Sequence, residues 1–254
     1  MLYTAYEMNR RMGAPVVAAS EWTARALQGL PAPLGRTPAV RHVLAACDIL
    51  ANARPTHHRP AFGITTVPVG DREAEVYERP ALKTPFGTLL HFTKPSVPDQ
   101  PRVLVVGPMS GHFTTLIRPT IKTLLADHDV YVIDWHNARD IPAEHGPFGL
   151  DEYIDHVMQA LRHLGPDTHL LAVCQPAPLV LAAVALLAED DDPAQPASLT
   201  LMAGPIDTRI NPTRVNTSAA DKPLSWFERR VVDTVPSRYA GAGRRVYPGV
   251  VQLT

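Results

Sequence analysis

Along the first sixty residues the apolar positions recur at helical spacing. In "RTPAVRHVLAACDILANA" (36–53), Val40, Val43, Leu44, Cys47 and Leu50 share one face, with Thr37 at an N-cap position and Pro38 at the first helical position. That spacing predicts a helix with Cys47 turned to a core. Between residues 63 and 93 the runs shorten. "GITTVPV", "EAEVYER" and "GTLLHF" read as strands divided by Pro and Gly.

The pattern changes near Gln100. "RVLVVG" (102–107), rich in β-branched residues, "DVYVID" (129–134), "HLLAVC" (169–174) and "SLTLMAG" (198–204) are short apolar runs that read as strands. Between them lie helical stretches. Ile117, Ile121, Leu124 and Leu125 share one face, and a helix from Asp151 carries Ile154, Val157, Met158, Leu161 and Leu164. A third, "APLVLAAVALLAE", spans 177–189. Strands alternating with helices predict βαβ units and a mostly parallel sheet with helices on both faces. Continuous apolar strands predict burial on both sides. Residues 207–254 break the rhythm: "IDTRINPTRVNTSAADKP" reads as a loop, "LSWFERRVVDTV" as a short amphipathic helix. The expected organisation is a helical region (1–60), an α/β core (61–206) and the start of a cap or C-terminal region (207–254), with the sheet truncated before its last strands.

Composition narrows the function classes. Lys and Arg number 24 against 25 Asp and Glu, so no basic excess points to nucleic acid or an anionic membrane surface. No apolar run reaches the roughly 18 residues of a transmembrane helix. The start, "MLYTAYEMNRRMG", lacks the basic-then-apolar order of a secretory signal. The two cysteines, Cys47 and Cys174, form no CxxC pair or disulfide framework, which fits a reducing compartment. No His/Cys cluster has zinc spacing, so no metal is expected.

Cys174 stands where an apolar strand meets a helix that Pro176 can start. Two readings are open. Free cysteine is often buried as a small core residue. The layout of strand, thiol, one residue and helix is also that of a nucleophile elbow, although Ala172 and Pro176 stand where the elbow pattern has glycines. A helix N-terminus favours a thiolate. In that reading the backbone N–H of Gln175 would face an oxyanion. A second donor would come from Met109 or Ser110 in "GPMSGHF" (107–113).

Longer segments carry a resemblance. "MLYTAYEMNR" (1–10), "FGITTV" (62–67), "VLVVGPMSGH" (103–112), "LLADHDVYVIDWHNAR" (124–139), "GPFGLDEYIDHV" (146–157) and "VCQP" (173–176) resemble the intracellular polyhydroxyalkanoate (polyhydroxybutyrate) depolymerases of bacteria. "GPIDTRINPTRVN" (204–216) and "WFERRVVDTVPSRYAGAGRRVYPG" (226–249) do so as well. The resemblance implies an α/β-hydrolase with Cys174 as nucleophile, acting on the ester bonds of a storage polyester through an acyl-thioester. It implies a cytoplasmic protein on storage granules that needs no cofactor, with coenzyme A an alternative acyl acceptor on chemical grounds.

One departure stands out. In this fold the order is nucleophile, acid, histidine, yet no histidine follows His169 in the sequence. The chain therefore reads as the N-terminal part of a depolymerase, and the alternative expectation is an inactive fragment that binds the granule or a partner. His112, in the predicted oxyanion loop, is an active-site neighbour and the one upstream histidine considered as base. His57 and His58 read as solvated, and His156 and His163 as the polar edge of their helix. Asp207 and Asp134 end strands and read as turn or hydrogen-bonding residues, with Asp207 weighed as a triad acid. Trp226 and Phe227 read as core packing or as part of a lid.

Overall fold

The structure is a computed structural model that describes residues 2–52, 59–109 and 113–249. The chain forms two compact units, Met1–His58 and Arg59–Leu253.

The first unit is a helical pair. Helix α1 (Leu2–Gln28) and α2 (Pro38–Asn52) are joined through a 3-10 turn at Leu34–Arg36. Pro38 opens α2, and the Thr37 carbonyl accepts the Arg41 N–H. The Thr37 hydroxyl donates back to Leu34 O at 3.0 Å. Cys47 is buried, whereas Val43 and Leu50, expected on the same face, are exposed.

The second unit is built on a mixed sheet. Its elements are β1 (Thr66–Val69), β2 (Arg72–Glu75), β3 (Tyr77–Lys83), β4 (Gly87–Thr93), β5 (Arg102–Val106), α3 (Arg118–Leu124), β6 (Asp129–Trp135), α4 (Leu150–Leu164), β7 (Thr168–Val173), α5 (Ala177–Glu189) and β8 (Ser198–Met202). There follow α6 (Arg214–Ala220), α7 (Leu224–Arg230), β9 (Asp233–Thr234) and β10 (Arg245–Val246). Strands β1 and β2 form a separate hairpin, as do β9 and β10. The six-stranded sheet has the order β3-β4-β6-β5-β7-β8. Strands β3 and β4 pair antiparallel, β4 meets β6 antiparallel, and β6, β5, β7 and β8 run parallel.

Strand β5 shows why this sheet forms. Val103, Leu104, Val105 and Val106 are all buried, and alternate side chains enter opposite layers. On one face Leu104 and Val106 join Ile133, Leu170 and Ala172 under α4 and α5. On the other, Val103 and Val105 join Phe92, Val130 and Val132 under α3 and the strap that carries Phe62 and Val67. Helix α4 buries Tyr153, Ile154, Val157, Met158 and Leu161, and Glu152 Oε2 accepts the N–H of Gly149 at its start. Helix α5 buries Ala177, Val180, Ala183 and Leu187, one stripe of a nearly all-apolar helix. Each fully buried Val or Leu here stabilises the fold by about 1.5–3 kcal/mol.

The tail packs onto the connection after β6. The Arg244 guanidinium donates to Ile141 O and Gly146 O at 2.6 Å each, and also to Pro142 O. The Gly241 N–H donates to Arg139 O at 2.8 Å. The Arg139 guanidinium lies 4.7 Å from the centre of the Tyr239 ring.

Candidate active site

The register brings three strand ends together. Ala172 of β7 is level with Val106 of β5 on one side and Leu201 of β8 on the other. Gly107, Cys174 and Ala203 therefore leave the sheet at the same edge, the carboxyl ends of its parallel strands. In open α/β sheets this is where ligands bind.

Cys174 follows β7 immediately, with φ at 68°. This left-handed conformation costs a non-glycine residue of the order of 1–3 kcal/mol. The turn is held on both sides. The Cys174 N–H donates to Met202 O at 2.7 Å, and its carbonyl accepts the Ala177 N–H at 3.1 Å. Pro176 then caps α5. The thiol is exposed. Among the described residues, the Cys174 side chain makes no hydrogen bond or ion pair with any other group.

Two glycines make this edge compact. A Cβ on Gly204 would lie 2.0 Å from Ala177 Cβ and 2.8 Å from Cys174 O. Only glycine lets the chain after β8 pass so close behind the thiol-bearing turn. A Cβ on Gly107 would lie 2.9 Å from Thr114 Cγ2 and 3.1 Å from Ile117 Cδ1. The Gly107 carbonyl accepts from Trp135 Nε1 at 3.4 Å, and the buried Thr114 hydroxyl donates to Ile133 O at 3.0 Å. These contacts hold Gly107 in place at the end of β5.

The expected site residues divide accordingly. Met109 and Gln175 meet: the Met109 N–H donates to Gln175 Oε1 at 3.1 Å. Ser110 and His112 lie outside the described residues, as do His57 and His58. Asp207 is engaged by Arg209, which donates to it from Nε at 2.9 Å, from a terminal nitrogen at 2.8 Å and from its backbone N–H at 3.0 Å. Those bonds hold the Asp207 carboxyl below the usual carboxylate range. Trp226 and Phe227 pack edge to face, 5.1 Å apart. A groove of about 590 Å³ between α3 and strands β5, β7 and β8 contains none of Met109, Cys174 or Gln175.

One group differs from expectation. His156 is not on a polar edge: its Nε2 is 2.9 Å from Thr84 Oγ1, and its ring packs on Trp135 and Phe148. Burial, assisted by the nearby charge of His136, pushes its pKa down. Asp134 is 4% exposed and pairs with Arg59, which also donates to Glu78 at 2.6 Å. Burial raises the Asp134 pKa, with Arg59 opposing. Among the described residues, no group of three or more His, Cys, Asp or Glu is placed to hold a metal, and no helix is long and apolar enough to cross a membrane.

A mixed sheet of this order, with a positive-φ thiol at the turn from strand to helix, defines an α/β-hydrolase-type protein. Residues 203–254 match the family model described as PHB de-polymerase C-terminus, and that match supports the PHB depolymerase family. No curated protein matches the chain. Solved structures similar to it include an esterase, rPPE (15% identity, TM-score 0.40, covering 80% of this chain and 61% of that one). Another is LAE6, an α/β hydrolase from the metagenome of Lake Arreo, Spain (14%, 0.38, 75% and 58%). A third is a thermostable esterase from Pseudomonas putida (15%, 0.34, 67% and 53%). The chain spans between 53% and 61% of the length of these three structures.

Proposed function

We propose that the protein cleaves ester bonds of a poly(3-hydroxyalkanoate) such as polyhydroxybutyrate, with Cys174 as the nucleophile. The observation that carries this reading is the exposed Cys174 thiol at a positive φ, at the sheet edge where Met109 and Gln175 meet. The family match over residues 203–254 supports the polyester as substrate class.

The chemistry follows from that arrangement. The thiolate attacks the ester carbonyl carbon. The oxyanion that forms is met by the backbone N–H groups of Gln175 and of Met109 or Ser110. Collapse expels the alcohol end of the polymer, which takes up a proton, and leaves an acyl-thioester on Sγ. Water then attacks the thioester, releasing the carboxylate end and returning the thiol. Coenzyme A would serve as acceptor by thioester exchange at the same carbonyl. Granules of the polymer in the cytoplasm are the site of action in this reading.

The absence of histidine after Cys174 in these 254 residues motivates a second reading, binding of the polymer or a partner without turnover. One experiment separates the two. The chain is mixed with p-nitrophenyl butyrate, and both p-nitrophenol release and intact mass are followed. The hydrolase reading expects an acyl adduct on Cys174 that forms and decays over repeated turnovers. A stable, stoichiometric adduct supports acylation without turnover. No adduct, or the same adduct in Cys174→Ala, overturns Cys174 as nucleophile.

A further inference from the structure

We propose that the solvent-facing side of α1 is an adsorption surface for a neutral, apolar polymer solid, with amorphous polyester as its occupant. This rests on the polyester reading of the substrate, and it gives the helical unit a task of its own.

The pattern of exposure carries it. Helix α1 buries Tyr3 and Ser20, with Val17 and Ala24 half-buried on the same side. At about 100° per residue, Met8, Met12, Val16 and Trp22 fall away from that side, and they are 60%, 68%, 56% and 72% exposed. Pro15 and Ala19, both exposed, fill the gaps between them. A surface helix ordinarily places charged and polar residues there. From residue 8 to residue 22 the stripe runs about 21 Å at the rise of an α-helix. Its four large side chains present about 500 Å² of surface, the size of patch that marks an interaction site.

Charge and area decide the occupant. The charged residues of α1 are Glu7, Arg10, Arg11, Glu21 and Arg25. On the helical wheel all of them fall in one sector beside the stripe and none within it, and they nearly cancel. Glu21 and Arg25 pair at 3.4 Å. A helix that reads an anionic membrane carries an excess of Lys and Arg on its polar face. A second copy is also a poor fit. Two stripes face to face would bury about 1,000 Å², below the roughly 1,200–2,000 Å² of a stable specific interface. An uncharged polyester asks for neither cations nor a matching shape. Methionine suits such a surface, because its flexible thioether fills irregular gaps. Adsorption also keeps the chain at a high effective concentration over an insoluble substrate.

The test measures partition of the full chain between buffer and particles of amorphous poly(3-hydroxybutyrate), read by depletion from solution. The variants are Trp22→Gln and the double variant Met8→Gln with Met12→Gln. Glutamine matches methionine in helix propensity, and far-UV circular dichroism checks that the helix is kept. Each variant is expected to lower the partition coefficient about tenfold, the effect of leaving one large apolar side chain in water. Acylation of Cys174 by soluble p-nitrophenyl butyrate is expected to stay unchanged. Partition of both variants equal to wild type overturns the proposal. So does tighter binding of the wild type to vesicles of phosphatidylcholine and phosphatidylserine than to the polymer. A wild-type dimer in sedimentation velocity that both variants abolish overturns it too, and makes a second copy the occupant. A wild type that adsorbs through the stripe yet forms no adduct on Cys174 removes the nucleophile assignment and leaves this surface standing.

Discussion

Replacing Gly204 with alanine should break the thiol-bearing turn through a single methyl group. The new Cβ would sit 2.0 Å from Ala177 Cβ and 2.8 Å from Cys174 O. Ordinary carbon contacts lie at about 3.5–4.0 Å, so about 1.5 Å of movement is required. Neither atom can swing away, because one is the first carbon of a side chain on α5 and the other is a backbone carbonyl. Overpacking typically costs about 1–3 kcal/mol, and this contact belongs at the upper end. The opposing gain, reduced freedom of the unfolded chain on Gly→Ala, is only about 0.4–1 kcal/mol. A net destabilisation of about 2 kcal/mol is expected, read as a lower urea midpoint at unchanged slope. The alkylation rate of Cys174 should change as well, with the buried Cys47 as internal reference. In an Ala177→Gly background the 2.0 Å contact disappears and the 2.8 Å contact to Cys174 O remains. The cycle should then show a coupling of about 1 kcal/mol or more. A Gly204→Ala protein within about 0.5 kcal/mol of wild type, with an additive cycle, would refute the reasoning.

Other expectations follow from the same geometry. At position 174 glycine takes φ of 68° without steric cost, so Cys174→Gly should be more stable than Cys174→Ala by about 1 kcal/mol in urea unfolding. Equal stability would mean that the turn carries no strain. His156 titrates below its unfolded value because it is buried, so its contribution is fully present above about pH 6.5. It is lost as pH falls towards the lowered native pKa. Urea unfolding from pH 8 to 5 should therefore steepen in that window, and His156→Gln should flatten the profile. Asp134 has the opposite sign. Its raised native pKa makes its contribution greatest below about pH 4 and lost as pH rises through the native value. Asp134→Asn should remove that decline, and an unchanged profile would place the titration elsewhere.

The sheet was legible because its strands are short, mostly apolar runs bounded by Pro, Gly and polar residues, and β5 is apolar on both faces. The turn at Cys174 was legible for the same reason, since an apolar run stops at a polar pair before Pro176. Helix α6 was not: "RVNTSAA" has no apolar stripe, and the structure buries none of it. Its one signal is the capping box in which Thr213 and Asn216 cap each other. The run "EAEVYER", read as one strand, is split between β2 and β3 at Val76, which turns into the core. Burial of His156 and Asp134 was hidden because the groups that enclose them, Thr84 and Arg59, are distant in sequence. The bond from Met109 to Gln175 spans 66 positions, and no local pattern encodes it.

Arg244 gives the protein an order of assembly. Its guanidinium gathers carbonyls of residues 141, 142 and 146 that precede it by 103, 102 and 98 positions. During synthesis, the bend that follows β6 leaves the ribosome long before this cation is made. Until then its carbonyls are served by water. The bend closes only when the segment matched by the family model arrives, so that late segment completes an early part of the domain rather than adding a separate one. A nascent chain arrested before residue 244 would be cut by protease between Ile141 and Gly146, and one arrested well beyond it would be protected there.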